Sequence, residues 1–294
     1  MSTCPGKVRR TLHSVITVVG SVNVDLVAKL PRLPAAGETL AASGFARGPG
    51  GKGANQALAA RRLGADVRLI AAVGADALAD EALALLRADG VLLDSVRAVP
   101  DATTGVALIE VDDAGETTIV VVPGANATLR ISFADVADAD AVLTVLEVPA
   151  DTVAAAAEHA APWAFFALNA APARPVPTAV LRRANLVVVN RSEHESIDGL
   201  EAARCVAVTH GADGAVLLRR GREVARSAPP RVRAVDGTAA GDAFTAALMV
   251  AMLGGASDQN ALRRACAAGA LAAARHGAQP SLPTAAEVDA ILAR

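Results

Sequence analysis

A chain of 294 residues, 53% of them hydrophobic, is long enough to bury one large α/β core with a small appendage. A formal net charge of −2, no basic block beyond Lys7, Arg9 and Arg10, and an aromatic content of 2% argue against a nucleic-acid partner, which needs phosphate-neutralising charge and stacking surfaces. Cys4, Cys205 and Cys266 are too scattered for a disulfide framework or a thiolate metal site, and the longest apolar runs fall far short of the about 20 residues that span a bilayer, so a soluble protein of the reducing cytoplasm, with no membrane partner, is expected.

Residues 1–12 read as a loose tail before a domain over 13–294. The buried-type strand Val15–Gly20 is followed by the half-polar strand Val22–Leu30, a turn at Pro31–Gly37 and a second half-polar strand predicted at Glu38–Phe45. Gly53–Leu63 reads as a helix, Val67–Ala72 as a strand and Ala77–Ala88 as a helix, the two helices closed by Gly64 and Gly90. Thr104–Val111 and Thr117–Val122, joined by Asp112-Asp113-Ala114-Gly115, form a hairpin. The half-polar groups at about 22–47 and 102–122 share a character the intervening βαβ unit lacks. They are expected to meet as a small β-sheet lid.

From Ala141 strands and helices alternate: Ala141–Val145, Thr152–Ala160, Phe165–Leu168, Val180–Ala184, Leu186–Val189, Ser192–Asp198 and Cys205–Thr209. Near-continuous Val, Leu and Ala strands separated by helices mean a Rossmann-like, mostly parallel sheet covered by helices on both faces. Ala215–Leu218 and Glu223–Arg226 add an antiparallel edge pair, with Arg219, Arg220 and Arg222 expected as a solvated face, and helices at Ala243–Gly254, Asp258–Ala274 and Ala286–Ala293 close the chain.

Two stretches carry chemistry. In Val235-Asp236-Gly237-Thr238-Ala239-Ala240-Gly241-Asp242, a small-residue turn opens the last apolar helices, so the amides of Ala239, Ala240 and Gly241 are expected as free donors to an anion. Taken alone, Gly-Asp before an apolar run is a helix-capping arrangement. A carboxylate at an anion-binding helix start makes chemical sense where it faces a hydroxyl about to attack a phosphate. Gly48-Pro49-Gly50-Gly51-Lys52-Gly53-Ala54-Asn55-Gln56 contains G-x-G-x-x-G, but no buried parallel strand precedes it, as a dinucleotide fingerprint requires. Lys52 and Asn55 at a helix start, with Asn23 and Asp25 at a strand end, form a polar set suited to a polyhydroxyl ligand.

Gly20-Ser21-Val22-Asn23-Val24-Asp25, then Gly50 to Gln56, then Asp236 to Asp242, in that order and spacing, resemble the ribokinase family of sugar kinases over about 15–283. Leu146-Glu147-Val148-Pro149, the Leu168–Arg174 stretch and Gly277-Ala278-Gln279-Pro280-Ser281 add to the resemblance. It implies an ATP-dependent kinase acting on a pentose, with a related nucleoside or sugar kinase as the alternative and a catalytically silent binding protein behind both. It further implies that Asn23, Asp25, Gly51, Lys52, Asn55 and Glu147 hold the sugar and that Asp242 is the base beside an anion hole of Ala239, Ala240 and Gly241. Asn190, Thr209, Gly211, Asp213, Gly214, Gly241 and Cys266 would line ATP, with Glu193 organising Mg²⁺ through water. Asp236, Thr238, Ala272, Arg275, Gly277 and Ser281 would hold a monovalent cation, K⁺, and the lid would pair in a homodimer.

Gly237, where the family usually has Thr or Ser, is expected to loosen its turn, and the 190–209 segment is short for the family. The helix dipole, worth about 0.3–1 kcal/mol, is expected to keep Asp242 ionised and weakly basic. Glu193-His194-Glu195 points its neighbours apart on a helix and is not expected to be a transition-metal site; His210 is read as a solvated loop residue.

Overall fold

The computed structural model describes residues 15–294; the expected tail at 1–12 lies outside them. Strands β1 (Val15–Val19), β2 (Asn23–Leu30) and β3 (Gly44–Gly50) precede helix α1 (Lys52–Arg62), β4 (Asp66–Gly74), α2 (Ala77–Ala88) and β5 (Val96–Val99). Next come β6 (Gly105–Asp112), β7 (Thr117–Val122), the short α3 (Phe133–Val136), β8 (Ala141–Val145), α4 (Ala150–His159), β9 (Phe165–Asn169) and α5 (Thr178–Arg183). The chain ends with β10 (Leu186–Asn190), α6 (Arg191–Ser196), β11 (Cys205–Thr209), β12 (Ala215–Arg219), β13 (Arg222–Ser227), α7 (Ala240–Leu253), α8 (Asp258–Ala273) and α9 (Ala285–Leu292).

Nine strands form one sheet in the order β13-β12-β11-β10-β9-β8-β1-β4-β5, parallel except for the antiparallel edge pair β12 and β13. Because side chains alternate along a strand, each central strand feeds two apolar layers. Leu186 and Val188 of β10 belong to the apolar layer that α1, α2, α7, α8 and α9 cover, while Val187 and Val189 belong to the layer under α3, α4 and α5. This explains why these strands read as unbroken apolar runs: neither face meets water. No helix among the described residues is long and apolar enough to cross a membrane.

The half-polar segments meet in a second, four-stranded sheet of order β3-β2-β6-β7, with β2 and β6 parallel and the outer pairs antiparallel. The largest departure from expectation in this sheet is the position of β3. The strand predicted at Glu38–Phe45 runs from Gly44 to Gly50 and so includes the glycine-rich stretch. Glu38 is instead drawn into a turn, accepting from the Ala35 amide and pairing with Arg32. Pro49 is tolerated because β3 is an edge strand, where a missing N–H breaks no ladder.

The 190–209 segment holds α6 and a single 3₁₀ turn before β11. Arg219 departs from the solvated face expected of it, since Nε and Nη2 make a two-point contact with the Asp258 carboxylate at the start of α8 (2.7 and 2.5 Å).

The low aromatic content is offset by close helix packing. Ala243, Ala246 and Ala247 of α7 are buried with Ala261, Ala265, Ala268 and Ala272 of α8. A side chain at Gly269 would come within 3.1 Å of the Ala240 carbonyl, so the bare position lets α8 sit close against the first turn of α7. That first turn carries Asp242.

Candidate active site

The carboxyl ends of β1, β4, β8, β9, β10 and β11 share one edge of the large sheet, where open α/β sheets bind ligands. The chain leaves β1 towards β4 on one side and returns to β8 on the other, which opens a crevice between the residues that follow β1 and β8. Ser21 and Glu147 stand there and are joined by a short hydrogen bond from Ser21 Oγ to Glu147 Oε2. Glu147 Oε2 also accepts from the Lys52 amide at 3.0 Å, and Ser21 Oγ accepts from the Gly53 amide at 3.2 Å. The start of α1 is thereby fastened to the crevice.

The glycines before α1 are there for proximity. Gly51 has φ +88°, and a side chain on it would lie 2.7 Å from the Asn23 amide; one on Gly53 would collide with the Gly20–Ser21 backbone. The glycine-rich stretch thus presses α1 against the 20–25 segment and brings Asn23, Asp25, Lys52 and Asn55 together.

Asp242 enters from α7. Its Oδ2 accepts from Asn55 Nδ2 at 2.9 Å and its Oδ1 from Gln56 Nε2 at 2.8 Å. Burial pushes its pKa above the usual carboxylate range, while Lys52 and the two amides oppose the rise. The expectation of a weak base held low by the helix dipole is therefore corrected: burial outweighs a dipole of order 1 kcal/mol. Burial, reinforced by Glu147 and Asp242 and opposed by Lys52, raises Asp25 to about 7. Burial acts to lower Lys52, but the Asp242, Glu147, Glu193 and Asp25 carboxylates outweigh it and hold the ammonium above its ordinary value. One lysine thus stands among four carboxylates.

The anion-hole turn is also corrected in detail. The Ala240 amide is not free but donates to the Gly237 carbonyl at 3.2 Å, while the amides of Ala239 and Gly241 make no hydrogen bond among the described residues. Ala239 takes the left-handed conformation, φ 59° and ψ 5°, at the N-cap of α7. Gly237 has no left-handed φ, and a side chain there would meet nothing within 4 Å, so glycine is not needed at that position.

A second group lies at the ends of β10 and β11, where Asn190 pairs in register with Thr209. Asn190 and Glu193 cap α6 reciprocally: Asn190 Oδ1 accepts from the Glu193 amide at 2.8 Å and Glu193 Oε2 from the Asn190 amide at 2.7 Å. Burial raises the Glu193 pKa, partly offset by the Asn190 amide and by Lys52. Among the described residues no three His, Cys, Asp or Glu side chains gather into a metal cluster. This donor set fits Mg²⁺ that arrives on phosphates and keeps its waters, with one carboxylate nearby.

Gly211 and Asp213 form a 3₁₀ turn after β11, and Gly214 packs so closely on the Ser227 carbonyl that a side chain would clash. Cys266 is buried, donates to Ser227 O at 3.5 Å and has its thiol pushed up to about 11 by burial, so it offers any nucleotide an apolar wall rather than a hydrogen bond.

A third group joins two loops. Asp236 Oδ1 accepts from Thr238 N and Oγ1 (2.9 and 2.6 Å), and Oδ2 from the Gly277 amide (2.8 Å). Burial acts to raise its pKa, but these bonds outweigh burial and hold it below the usual range. The Ala272 carbonyl accepts from the Arg275 amide at 3.0 Å, the Arg275 side chain pairs with Glu287, and Ser281 Oγ donates to the Ala278 carbonyl at 2.7 Å.

Three residues of these networks escaped the sequence reading. Gln56 sat in a quoted motif without a role, as did Ser21, and Asn126 carried no signal at all. A solitary Asn after a hairpin announces nothing until the fold places it beside residues a hundred positions away.

Residues 14–285 match the family described as pfkB family carbohydrate kinase. The chain is 36% identical over 296 residues to a ribokinase of Bacillus subtilis, covering 94% of this chain and 99% of that one. It is 33% identical to a ribokinase of Haemophilus influenzae, covering 93% and 96%. The solved structure of Arabidopsis thaliana ribokinase complexed with ribose and ATP superimposes with a TM-score of 0.86 at 30% identity, covering 95% of this chain and 99% of that one.

Proposed function

The chain belongs to the pfkB family of carbohydrate kinases, and from that premise we propose that it transfers the γ-phosphoryl group of ATP to the primary hydroxyl of D-ribose, giving ribose 5-phosphate. The observation that carries the reading is the suspension of Asp242 between Asn55 and Gln56, on a helix whose start is fastened to Glu147. Each carboxylate oxygen of Asp242 has one amide donor, which fixes the plane of the group and leaves lone pairs for an incoming hydroxyl.

Asn23, Asp25, Gly51, Lys52, Asn55 and Glu147 hold the sugar in this reading. Asp242 orients the attacking oxygen and takes its proton, and its elevated pKa makes it a better base than an exposed aspartate. Proton transfer comes late if the moving phosphoryl group is metaphosphate-like, so orientation dominates. The free amides of Ala239 and Gly241, aided by the α7 dipole, receive the charge that develops on the transferring group. Asn190, Thr209, Gly211, Asp213 and Gly214 line the nucleotide, with Cys266 as an apolar wall. Mg²⁺ bound with ATP supplies neutralisation of phosphate charge, and Glu193, with Asn190, would hold it through water.

The second sheet serves as a lid over the sugar and pairs with its counterpart in a homodimer. What supports this is its load of exposed apolar side chains: Phe45, Leu108, Ile119, Val120, Val121 and Val122 are each at least 44% exposed. A monovalent cation, K⁺, binds between the Asp236 turn and the Gly277 loop.

Release of ADP measured across ribose, deoxyribose, hexoses and nucleosides tests the assignment. Ribose should give the highest kcat/KM. Faster turnover of a nucleoside would reassign the chain to the alternative within the family, and no turnover of any acceptor would favour a silent binding protein.

A further inference from the structure

Asn126 lies in the turn that follows β7 and is 1% exposed. Its side chain makes three hydrogen bonds to one place: Oδ1 accepts from the Val22 amide at 2.9 Å, and Nδ2 donates to the Val22 carbonyl at 3.0 Å and to Asn23 Oδ1 at 2.8 Å. The backbone pair at Val22 removes any freedom to flip, since a reversed amide would set donor against donor and acceptor against acceptor. Asn126 therefore presents an N–H to Asn23, and Asn23 must answer with its oxygen.

Space enforces the same answer. The two amides lie directly against Gly105 of β6, where any side chain would collide with both Asn23 Oδ1 and Asn126 Nδ2. Asn23 is itself 2% exposed, and its Nδ2 makes no hydrogen bond among the described residues. Its carbonyl oxygen is used on the protein side, so only its NH₂ remains for the crevice. Two residues further along β2, Asp25 places a carboxylate on the same face of the strand.

We propose that Asn126 is a positioning residue that sets sugar selectivity by fixing the Asn23 amide, so that Asn23 offers the ligand a donor and no acceptor. The proposal rests on the reading that Asn23 and Asp25 hold the sugar. A hydroxyl can accept from Asn23 Nδ2 while donating to Asp25. An analogue without that hydroxyl leaves a buried N–H unpaired, and a site built around a hydroxyl rejects the lacking analogue far more strongly than an apolar pocket rejects a methylene.

The test is Asn126→Asp, with D-ribose and its 2-deoxy and 3-deoxy forms as probes, read by calorimetry and by kcat/KM. The carboxylate still accepts from the Val22 amide but sets an oxygen against both the Val22 carbonyl and Asn23 Oδ1; Asn23, whose side chain is free to rotate, turns over and shows its oxygen to the crevice. Ribose affinity should fall about tenfold, as loss of one hydrogen bond to an unsatisfied buried partner predicts. The deoxy sugar lacking the hydroxyl at Asn23 should change less than about twofold, and ATP affinity should not move. If Asn126→Asp does not fold, Asn126→Ala leaves Asn23 Oδ1 without its donor and its amide free to turn, and a smaller loss with the same selectivity is expected. Equal losses for all three sugars, or none, overturn the proposal. Wild-type protein that binds none of the three overturns the reading of function as well, whereas wild-type turnover with a uniform loss in the variant overturns only the role of Asn126.

Discussion

Asn55 and Asp242, 187 positions apart in the chain, meet through a 2.9 Å hydrogen bond that joins the helix behind the glycine-rich stretch to the helix behind the anion-hole turn. In the function proposed above, this bond would set hydroxyl recognition and phosphate recognition at a fixed separation, which a transfer between two ligands requires. Asp242→Asn keeps the shape but loses the base and sets a carboxamide against the amides of Asn55 and Gln56. A fall in kcat of about 10²–10⁴-fold is expected, with nucleotide affinity measured by calorimetry unchanged. A variant that keeps more than about a tenth of wild-type kcat would remove Asp242 from the chemistry.

Asp25 gives a pH signature. With its pKa raised to about 7, it gains its charge, and with it its full strength as an acceptor, only as pH rises through neutrality. The KM for sugar should fall between pH 6 and pH 8, and Asp25→Asn should weaken binding and flatten that dependence. The sign for stability is opposite. A carboxyl whose folded pKa lies above its unfolded value costs nothing below pH 3.8, and the cost grows as pH rises towards 7. Without ligand, Asp25→Asn should therefore melt higher than wild type at pH 8 and alike at pH 4. Melting curves at the two pH values check both statements.

What the sequence disclosed and what it withheld divide along physical lines. The alternation of strands and helices from Ala141 onward was legible because fully buried parallel strands must be apolar throughout, and the hairpin at 104–122 because its turn chemistry is local. The strand at Gly44–Gly50 was misplaced because Gly-Pro-Gly reads as a turn, whereas an edge strand that needs closeness to Asp25 accepts all three residues. The residues proposed for the site sat in contiguous motifs and could be singled out in advance, and the structure brings Asp25, Lys52, Asn55 and Asp242 together. The pKa of Asp242 could not, since burial is set by tertiary packing while the helix dipole is visible locally. Asn126 and Arg219 acquire their partners, Asn23 and Asp258, only through long-range folding.

The turn before α7 supplies a stability test. Ala239 sits in the left-handed region, which costs an ordinary residue roughly 1–2 kcal/mol, and glycine relieves that cost. Gly237 occupies an ordinary region with open space around it, so Gly237→Ala should stabilise by about 0.4–1 kcal/mol through the unfolded chain. Both substitutions should raise the denaturation midpoint. A drop with Ala239→Gly would mean that the strained turn is held by contacts of the Ala239 methyl.

The second sheet predicts association. Leu108 and Val120 are cross-strand neighbours on the exposed sheet, 45% and 55% exposed, with Arg47 and Leu26 in the same row. Covering such a surface is favourable by about 25 cal/mol per Å² of apolar area. Sedimentation at micromolar protein should give a dimer, and the double change Leu108→Lys with Val120→Lys should give monomers. A wild-type monomer at that concentration would set the homodimer aside.

The last prediction concerns the cation. Asp236 already ties the anion-hole turn to the Gly277 loop, with two donors from Thr238 on one oxygen and the Gly277 amide on the other. Those bonds hold its pKa below the usual range, so a half-buried negative charge persists at every working pH. The carbonyl of Ala272 and the hydroxyl of Ser281 both have local partners, so a cation joins a frame that is largely assembled. K⁺ suits an all-oxygen site with a single carboxylate, whereas Mg²⁺ would keep its waters and prefer phosphates. Its benefit should appear in kcat, by steadying the amides of Ala239 and Gly241, and should sit near the low end of site-to-site coupling, about fivefold. Asp236→Asn should abolish the response altogether: the carboxamide removes the charge and turns an N–H towards the Gly277 amide, which drives the loops apart and lowers kcat even in K⁺. Rates in K⁺, Na⁺ and a bulky organic cation at fixed ionic strength decide it, for equal kcat in all three would show that the protein's own bonds hold the loops without a cation.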